Sequence, residues 1–326
     1  MASVRWGILS TGRIAGAFAH ALSLLPDAEL IAVGSRSAQS AEEFGARYNV
    51  PRRYETYEQL VSDPDVDVIY VASPHSHHYE HMMLCLNAGK SVLCEKAFTI
   101  NAKQAAECID LAQAKGLFLM EAMWTRFLPS TVQVWRWLAD GVIGEVKMFM
   151  ADMGFRAEFD AHNRLFNPHL GGGALLDLGI YPISYAFMIL GSPEKVTTQA
   201  NIGLTGVDEQ DSYTFTYPNG KMAVLAASLR TETPREAVIL GTQGSIRVHY
   251  PFYKSERVTL TVNGKEPQTV DLPIEGSGYK YEAAIVMNCL HEGKIESPIM
   301  PHNETLRIMK TMDDIRAQWG VKYPGE

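Results

Sequence analysis

The stretch that decides the fold is Val4-Arg5-Trp6-Gly7-Ile8-Leu9-Ser10-Thr11-Gly12-Arg13-Ile14-Ala15. Its first six residues predict a short buried strand; a helical run follows at 16–25, and a second strand at 29–34. Strand, glycine-containing turn, helix and strand within about 30 residues are typical of a mononucleotide-binding unit, whose helix N-terminus faces a pyrophosphate. An ordinary β-α-β turn is the alternative, because Ser10 and Ala15 replace the first and third glycines of G-x-G-x-x-G.

The end of the second predicted strand indicates which dinucleotide binds. An NAD site tends to carry an acid here, whereas an NADP site carries small polar and basic residues that accept the 2'-phosphate. The sequence has Ser35 and Arg36, with no acid until Glu42. We therefore expect NADP, with NAD less favoured. The cofactor contacts predicted in this region are Ser10, Thr11, Gly12, Arg13, Ile14, Ser35 and Arg36.

Further apolar runs at 66–72, 91–94 and 117–120 alternate with helical segments, which predicts a doubly wound parallel sheet in a Rossmann domain over 1–122. The first of these runs leads to four histidines within seven residues. A zinc or iron site is disfavoured there, because no carboxylate or cysteine with ligand spacing supports it. We expect Ser73, Pro74, His75 and His78 to line the cofactor, and His77 and His81 to be solvated.

Glu95 and Lys96 follow the predicted strand at 91–94, where it leaves the sheet. Ligands of open α/β sheets bind at the carboxyl ends of strands. By position alone, Lys96 is as consistent with a solvated strand end as with a functional group.

The pattern changes after residue 122, and residues 123–326 are predicted to form a second α/β domain for substrate binding and dimerisation. Short strands are expected at 144–152, 195–203, 211–218, 221–229, 236–241, 244–250 and 257–262. The turn Tyr217-Pro218-Asn219-Gly220 is typical of a hairpin, so the sheet should be open and mainly antiparallel. Helices are predicted at 279–291 and 303–318, at least one of them packing back on the first domain.

Between these elements lies Gly171-Gly172-Gly173-Ala174-Leu175-Leu176-Asp177-Leu178-Gly179-Ile180-Tyr181-Pro182. On a helix, Asp177 and Tyr181 share a face, and Pro182 predicts a kink beside them. The alternative is an ordinary amphipathic helix with a buried Asp. Upstream, Arg164 is placed to reach either a cofactor phosphate or a surface carboxylate.

Composition narrows the class of protein. The chain has 326 residues, of which 46% are apolar. Its net charge is -8 and it has no dense Lys/Arg run. This charge pattern argues against nucleic acid or an anionic membrane as a partner. Four cysteines without metal-ligand spacing are expected to be reduced thiols. No apolar run approaches the roughly 20 residues of a membrane span. Because the start, Met1-Ala2-Ser3-Val4, runs directly into a predicted strand, we expect no signal peptide. We expect a cytoplasmic enzyme without a bound metal.

These motifs together resemble the Gfo/Idh/MocA family, particularly its dimeric dihydrodiol dehydrogenase and NADP-dependent sugar dehydrogenase branch. The likeness covers the nucleotide turn, Glu95-Lys96, the stretch 121–129 and the glycine stretch 171–182. It implies Lys96 and Tyr181 as the catalytic pair with Asp177 beside them, Trp124 and Arg126 near the substrate, and a homodimer formed through the outer face of the second sheet. The sequence departs from the family at two positions. Ser10 stands in the nucleotide turn in place of a glycine, and Ala97 follows the lysine, where the family commonly has proline.

Interconverting an alcohol and a carbonyl moves one hydride and one proton, and the nicotinamide carries the hydride. Our hypothesis is that Tyr181 is the general acid/base, that Lys96 favours its phenolate, and that Asp177 orients the polar groups. Lys96 itself as proton donor is the competing assignment. Additional cofactor contacts are predicted from Glu95, Lys96, Trp124 and Arg164, and substrate contacts from Trp124, Arg126, Phe155 and Tyr279.

The substrate class predicted from the resemblance is a sugar, polyol or trans-dihydrodiol. A non-catalytic NADP-binding regulator on the same fold is the second hypothesis, since fold does not determine function. The presence of Lys96, Asp177 and Tyr181 together favours the enzyme.

Overall fold

The computed structural model describes residues 3–326, and the expectation for Met1 and Ala2 lies outside the described residues. The chain forms two compact units. The first contains the described residues up to Trp124 together with Glu275–Leu306, and the second contains Thr125–Ile274 and Arg307–Glu326. The sequence-based division placed everything after residue 122 in the second domain, whereas residues 275–306 here belong to the first unit.

The strands of the described chain are β1 (Val4–Leu9), β2 (Ala28–Gly34), β3 (Arg52–Tyr54), β4 (Val68–Val71), β5 (Ser91–Glu95), β6 (Leu119–Ala122), β7 (Val146–Gly154), β8 (Lys195–Ile202), β9 (Asp208–Thr216), β10 (Met222–Ser228), β11 (Ala237–Gly241), β12 (Gly244–Val248), β13 (Arg257–Val262) and β14 (Gln268–Asp271). The α-helices are α1 (Arg13–Leu22), α2 (Ala38–Tyr48), α3 (Tyr57–Val61), α4 (His75–Asn87), α5 (Ala102–Lys115), α6 (Pro129–Ala139), α7 (Ile180–Leu190), α8 (Tyr279–His291) and α9 (His302–Trp319).

The first unit is built on a parallel sheet with strand order β3-β2-β1-β4-β5-β6. Every neighbouring pair in it is parallel. The strand order reverses between β1 and β4, and ligands of such sheets bind at that point, beyond the carboxyl ends of the strands. The predicted doubly wound α/β class is confirmed. Helix α8 packs against α1 within this unit.

The second unit holds an eight-stranded sheet with order β14-β13-β12-β11-β7-β10-β9-β8. All neighbours are antiparallel except β7 and β10, which run parallel. The predicted hairpin joins β9 and β10, and Asn219 in its turn has φ 62°, a conformation that asparagine tolerates well. The mainly antiparallel second sheet is therefore confirmed.

Helix α7 lies in the core of the second unit and is apolar on nearly all sides, as expected of a helix enclosed by protein. The expectation that no apolar run approaches the length of a membrane span is wrong, because the segment Pro168–Leu190 is long and apolar enough to cross a membrane by length and composition, with a mean hydropathy of 1.5. Its most apolar window is 89% buried inside the protein, and core helices of globular proteins meet the same criteria. The apolar surface of this segment is thus already covered.

Candidate active site

The turn after β1 offers an anion-binding helix terminus. Ser10 has φ 94°, and its N–H donates to the Gly34 carbonyl at 2.9 Å, which aligns the ends of β1 and β2. Gly12 is the N-cap of α1, and a Cβ placed there would meet nothing within 4 Å. The first turn of α1 contains no acid. These features fit the pyrophosphate of a dinucleotide, because the first N–H groups of a helix favour negative charge.

Beyond β2, a polar cluster forms around Arg36 and Tyr57. Ser35 is buried and Arg36 is exposed. Burial raises the pKa of Tyr57, and the charge of Arg36, with the polar side chains of Ser10 and Arg36, opposes that rise. Tyr57 therefore stays a neutral hydroxyl beside the guanidinium. The sequence reading missed Tyr57, although its place after the edge strand β3, next to β2, was a usable signal.

His81 also belongs to this region, and the expectation that it is solvated is wrong. It is 8% exposed, its Nδ1 hydrogen-bonds the Ser73 hydroxyl at 2.8 Å, and its ring meets the Tyr57 ring edge-on at 4.7 Å. Burial lowers the pKa of His81 to about 4. The spacing of histidines along α4 turns this one toward the protein interior, where it is a neutral hydrogen-bonding group.

The histidines at the start of α4 hold the loop that carries Lys96. His75 Nε2 contacts the Lys96 carbonyl at 3.2 Å, and His78 lies between the carbonyls of Ser73 and Ala97 at 2.7 and 2.8 Å. Two carbonyl partners favour an imidazolium, but burial outweighs them and lowers the pKa of His78 to about 4. The cofactor contacts predicted for Ser73, Pro74, His75 and His78 stay predictions.

The strand β5 ends at Glu95, directly before Lys96. Glu95 is buried and accepts a hydrogen bond from the Tyr70 hydroxyl on β4. The peptide bond between Lys96 and Ala97 is cis. The next N–H, that of Phe98, donates to Glu121 Oε1 on β6 at 3.2 Å. Tyr70 of β4 thus holds the Glu95 side chain before the half-buried Lys96, and Glu121 of β6 holds the backbone after it.

A second buried acid lies near Glu95. Glu282 on α8 is fully buried, and its pKa is raised well above the ordinary value by burial first and by the charge of Glu95 second. Burial therefore favours the neutral form of the Glu282 carboxyl. Sequence reasoning missed this residue, because one acid in a helical segment is usually solvated.

Two aromatic residues predicted to contact substrate lie together in the first unit. The rings of Trp124 and Tyr279 are 4.7 Å apart. Trp124 begins a 3₁₀ turn directly after β6, and Tyr279 is the first residue of α8. The pair forms an aromatic surface at the edge of the parallel sheet, and its contact with substrate stays a prediction.

In the second unit, Asp177 and Arg164 form a bidentate ion pair with N···O distances of 2.9 and 3.2 Å. The Asp177 side chain is 8% exposed and the Arg164 side chain 47%, so the guanidinium partly faces solvent. Two residues that the sequence reading selected separately therefore bind each other. Such bidentate pairing fixes the orientation of the Asp177 carboxylate.

Tyr181 follows a wide helical turn. Leu175–Gly179 is π-helical and α7 begins at Ile180, so the irregularity expected beside Pro182 is an extra residue in the preceding turn. Tyr181 is 7% exposed, and its ring lies 5.4 Å from that of Tyr253. Because the turn is π-helical, Asp177 and Tyr181 do not have the relative orientation that four-residue spacing on a regular α-helix predicts.

The remaining substrate candidates are Arg126 and Phe155. Arg126 is buried, and its guanidinium donates to the Ser184 hydroxyl at 2.9 Å and the Ser184 carbonyl at 2.7 Å, which ties it to α7. Phe155 follows β7, and its N–H donates to the Ser228 carbonyl at 3.0 Å. Their substrate contacts stay predictions, as does the joint action of Lys96, in the first unit, with Asp177 and Tyr181, in the second.

The parallel sheet, the open terminus of α1 and the lysine loop after β5 together define a dinucleotide-binding oxidoreductase. Residues 4–123 match the model of the oxidoreductase family with an NAD-binding Rossmann fold, and residues 131–247 match the GFO/IDH/MocA C-terminal domain. The chain belongs to the Gfo/Idh/MocA family of oxidoreductases.

Three similar proteins are named as dehydrogenases or reductases. The chain is 38% identical to a D-xylose 1-dehydrogenase (NADP(+)) of Hypocrea jecorina, over 99% of this chain and 93% of the relative. It is 39% identical to a trans-1,2-dihydrobenzene-1,2-diol dehydrogenase of Danio rerio, over 98% of both chains. A 3-ketoreductase from Actinomadura kijaniata, solved with NADP and TDP-benzene, has a TM-score of 0.86 and 27% identity over 97% of both chains.

Proposed function

We propose that this protein is an NADP-dependent dehydrogenase or reductase acting on the CH-OH or C=O group of a sugar, polyol or trans-dihydrodiol. The single observation that carries the proposal is the lysine loop: Lys96 follows β5 at the carboxyl end of the sheet, and His75, His78 and Glu121 fix the backbone around it. The similarity to an NADP-dependent xylose dehydrogenase and to dihydrodiol dehydrogenases supports the substrate class.

The cofactor is NADP. Exposed Arg36, with the Tyr57 hydroxyl beside it, supplies a cation and neutral donors at the end of β2. Such a group suits a phosphate, because a guanidinium donates to phosphate oxygens through a planar fork. When bound, NADP supplies or accepts the hydride. The open N-terminus of α1 would hold the pyrophosphate.

The chain's own residues move the proton. In the oxidation direction, Tyr181 as phenolate takes the substrate hydroxyl proton, and in the reduction direction its O–H returns a proton to the forming alkoxide. Tyrosine loses its proton near pH ~10 in water, so a cation that favours the phenolate is required; Lys96 has this role. Asp177, locked by Arg164, orients the polar groups of the site.

The direct test follows NADPH absorbance with a panel of aldoses, polyols and trans-dihydrodiols, with NADP and NAD in parallel. We expect turnover of at least one compound in the panel, with a higher kcat/KM for NADP. NADPH binding without turnover across the panel would instead favour the non-catalytic regulator.

We also propose a homodimer formed through the outer face of the second sheet. Six apolar residues form two rows across the adjacent strands β10, β7 and β11 on this face: Val224, Met150 and Val238, and next to them Met222, Met148 and Leu240. Met150 is 43% and Val224 37% exposed. A continuous apolar area on a sheet face is typical of an interface between copies, because isolated chains rarely expose one.

Light scattering after size exclusion tests the dimer. Met150→Glu is expected to yield monomers, because two charges would face each other across the twofold axis. Leu204→Glu, at a residue that is 94% exposed, is the matched control and should leave the dimer intact. A wild-type monomer at micromolar concentration would contradict the proposal.

For location, we propose the cytoplasm, without membrane attachment. All four cysteines are free and buried, which suits a reducing compartment. Fractionation of cells that express the full chain is expected to place it with cytosolic markers, and recovery in the membrane pellet would contradict this.

A further inference from the structure

Two buried aspartates lie next to the π-helical turn in the second unit. Asp208 is 0% and Asp211 is 4% exposed. In a regular strand, residues three apart point to opposite faces. Here Ile202 of β8 pairs with Asp208 and Asn201 with Gln210, so one residue of β9 is skipped. This bulge allows both carboxyls to face the interior.

Asp208 holds the start of the π-helical turn. Its Oδ2 accepts the N–H of Leu175, the first residue of that turn, at 2.6 Å. Its Oδ1 lies so close to Gly173 that a Cβ there would collide with it, and Gly173 has φ 116°. The Tyr323 hydroxyl donates to the preceding carbonyl, that of Gly172, at 2.6 Å. Asp208 and Tyr323 thus fix the backbone that enters the turn.

Tyr213, two residues beyond Asp211 on β9, packs at the other end of the turn. A Cβ on Gly179 would collide with the Tyr213 hydroxyl. Both ends of the turn that carries Asp177, and leads to Tyr181, therefore rest against side chains of β9.

Three of the four carboxyl oxygens of Asp208 and Asp211 are buried without a hydrogen-bond partner within the described part of the chain. Among the described residues, Asp208 Oδ1 and both oxygens of Asp211 make no hydrogen bond of standard geometry, and the Tyr213 hydroxyl and the Ala227 N–H act only to lower the pKa of Asp211 against its overall rise. Burial raises the pKa of both groups, and for Asp211, whose pKa lies well above its usual range, the second cause is the charge of Asp208. Two adjacent buried carboxyls do not both ionise readily.

The other ionisable groups that face the pair come from β9, α9 and the C-terminal segment. Tyr213 and Tyr323 have pKa values raised well above the usual range by burial and by the aspartate charges, so both stay neutral. Arg316 of α9 is the neighbouring cation, and its guanidinium binds the Glu326 carboxylate at 2.8 and 2.9 Å. The positive charge is thus largely neutralised by Glu326.

We propose that Asp208 and Asp211 share one proton and act as the positioning group that holds the turn bearing Asp177 and leading to Tyr181. The neutral carboxyl of Asp211 donates to Asp208, and Asp208 keeps its bond to the Leu175 N–H. Loss of the shared proton at high pH sets two negative charges side by side, which loosens the start of the turn. This positioning role rests on the proposed function, in which Asp177 and Tyr181 serve the reaction.

The first test compares Asp208→Ala with Asp208→Asn, and uses Asp271→Asn on the exposed strand β14 as a control for loss of one carboxylate. Asp208→Ala is expected to lower kcat about tenfold, because it leaves a buried N–H without an acceptor. The Kd for NADPH should change by less than about twofold, since the helix terminus of α1 and Arg36, which are proposed to hold the phosphates, lie in the first unit. Asp208→Asn should recover most of kcat, because its amide oxygen still accepts from Leu175. Unchanged kcat in Asp208→Ala would overturn the proposal.

The second test uses Asp211→Asn, which imitates the protonated carboxyl and remains informative if Asp208→Ala fails to fold. A carboxyl whose pKa is raised by folding stabilises at low pH, and this contribution is lost as pH rises through the raised value. As pH rises, the Tm of the wild type should therefore fall more than the Tm of Asp211→Asn. The ratio of the wild-type kcat to the Asp211→Asn kcat should fall over the same pH range. A pH-independent ratio with superimposable Tm profiles would refute the shared proton. The Tm readout needs no catalysis, so it separates this proposal from failure of the proposed function, which Tyr181→Phe tests.

Discussion

Arg36→Gln is expected to weaken NADP binding selectively. Arg36 is exposed at the end of β2, with the Tyr57 hydroxyl as a neutral neighbour and no acid in the segment between Ser35 and Glu42. A hydrogen bond to a charged group contributes about 1.5–3 kcal/mol, and the lower part of that range applies because solvent screens this side chain. About 1.5–2 kcal/mol corresponds to a roughly tenfold to thirtyfold rise in the Kd for NADPH.

Fluorescence titration of NADPH and NADH measures both affinities. The Kd for NADH should change by less than about twofold, since NADH lacks the 2'-phosphate. Arg47→Gln, which removes an exposed arginine from the last turn of α2, is the matched control. Added salt should reduce the difference between wild type and Arg36→Gln, because it screens exposed charges. The reasoning is refuted if Arg36→Gln leaves NADPH affinity unchanged, or if it weakens NADH equally.

Two further predictions concern stability. Ser10→Gly should be about 1 kcal/mol more stable than Ser10→Ala in urea unfolding, because φ 94° places a Cβ in a conformation that favours glycine; equal stability would contradict this. His78, whose pKa is lowered to about 4 by burial, stabilises the fold above pH 6.5 and loses that contribution as pH falls. The loss between pH 7 and pH 4 is about 3 kcal/mol. His78→Gln should therefore unfold with a shallower acid dependence than either wild type or the exposed-residue control His20→Gln, and parallel slopes would count against it.

The central strands of the first sheet were predictable from the sequence, because strands buried on both faces are nearly continuous apolar runs. β3 (Arg52–Tyr54) and β14 (Gln268–Asp271) were not predicted. Each is an edge strand of three or four residues, rich in polar side chains, and is held by pairing with one neighbour. Hydrophobic pattern carries no signal for such strands.

For the site, the sequence identified which residues carry polar chemistry but missed most of their partners. His78 bonds Ala97, 19 residues away, and Asp177 pairs with Arg164, 13 residues upstream in a loop. Backbone carbonyls leave no mark in a sequence, so a partner such as Ala97 cannot be read from side-chain types. Asp208 and Asp211 were missed for another reason: alternation along a strand predicts opposite faces, and only the bulge in β9 places both inside.

The central claim is that Tyr181 moves the proton, and kcat of Tyr181→Phe on the substrate found in the panel tests it most directly. The variant keeps the ring that packs near Tyr253 and loses only the hydroxyl. We expect the kcat of Tyr181→Phe to lie at least about 100-fold below that of the wild type, as for loss of a general acid/base, and its NADPH affinity to stay within about twofold. A kcat close to wild type in Tyr181→Phe, together with loss of turnover in Lys96→Met, would contradict the claim and assign the proton to Lys96.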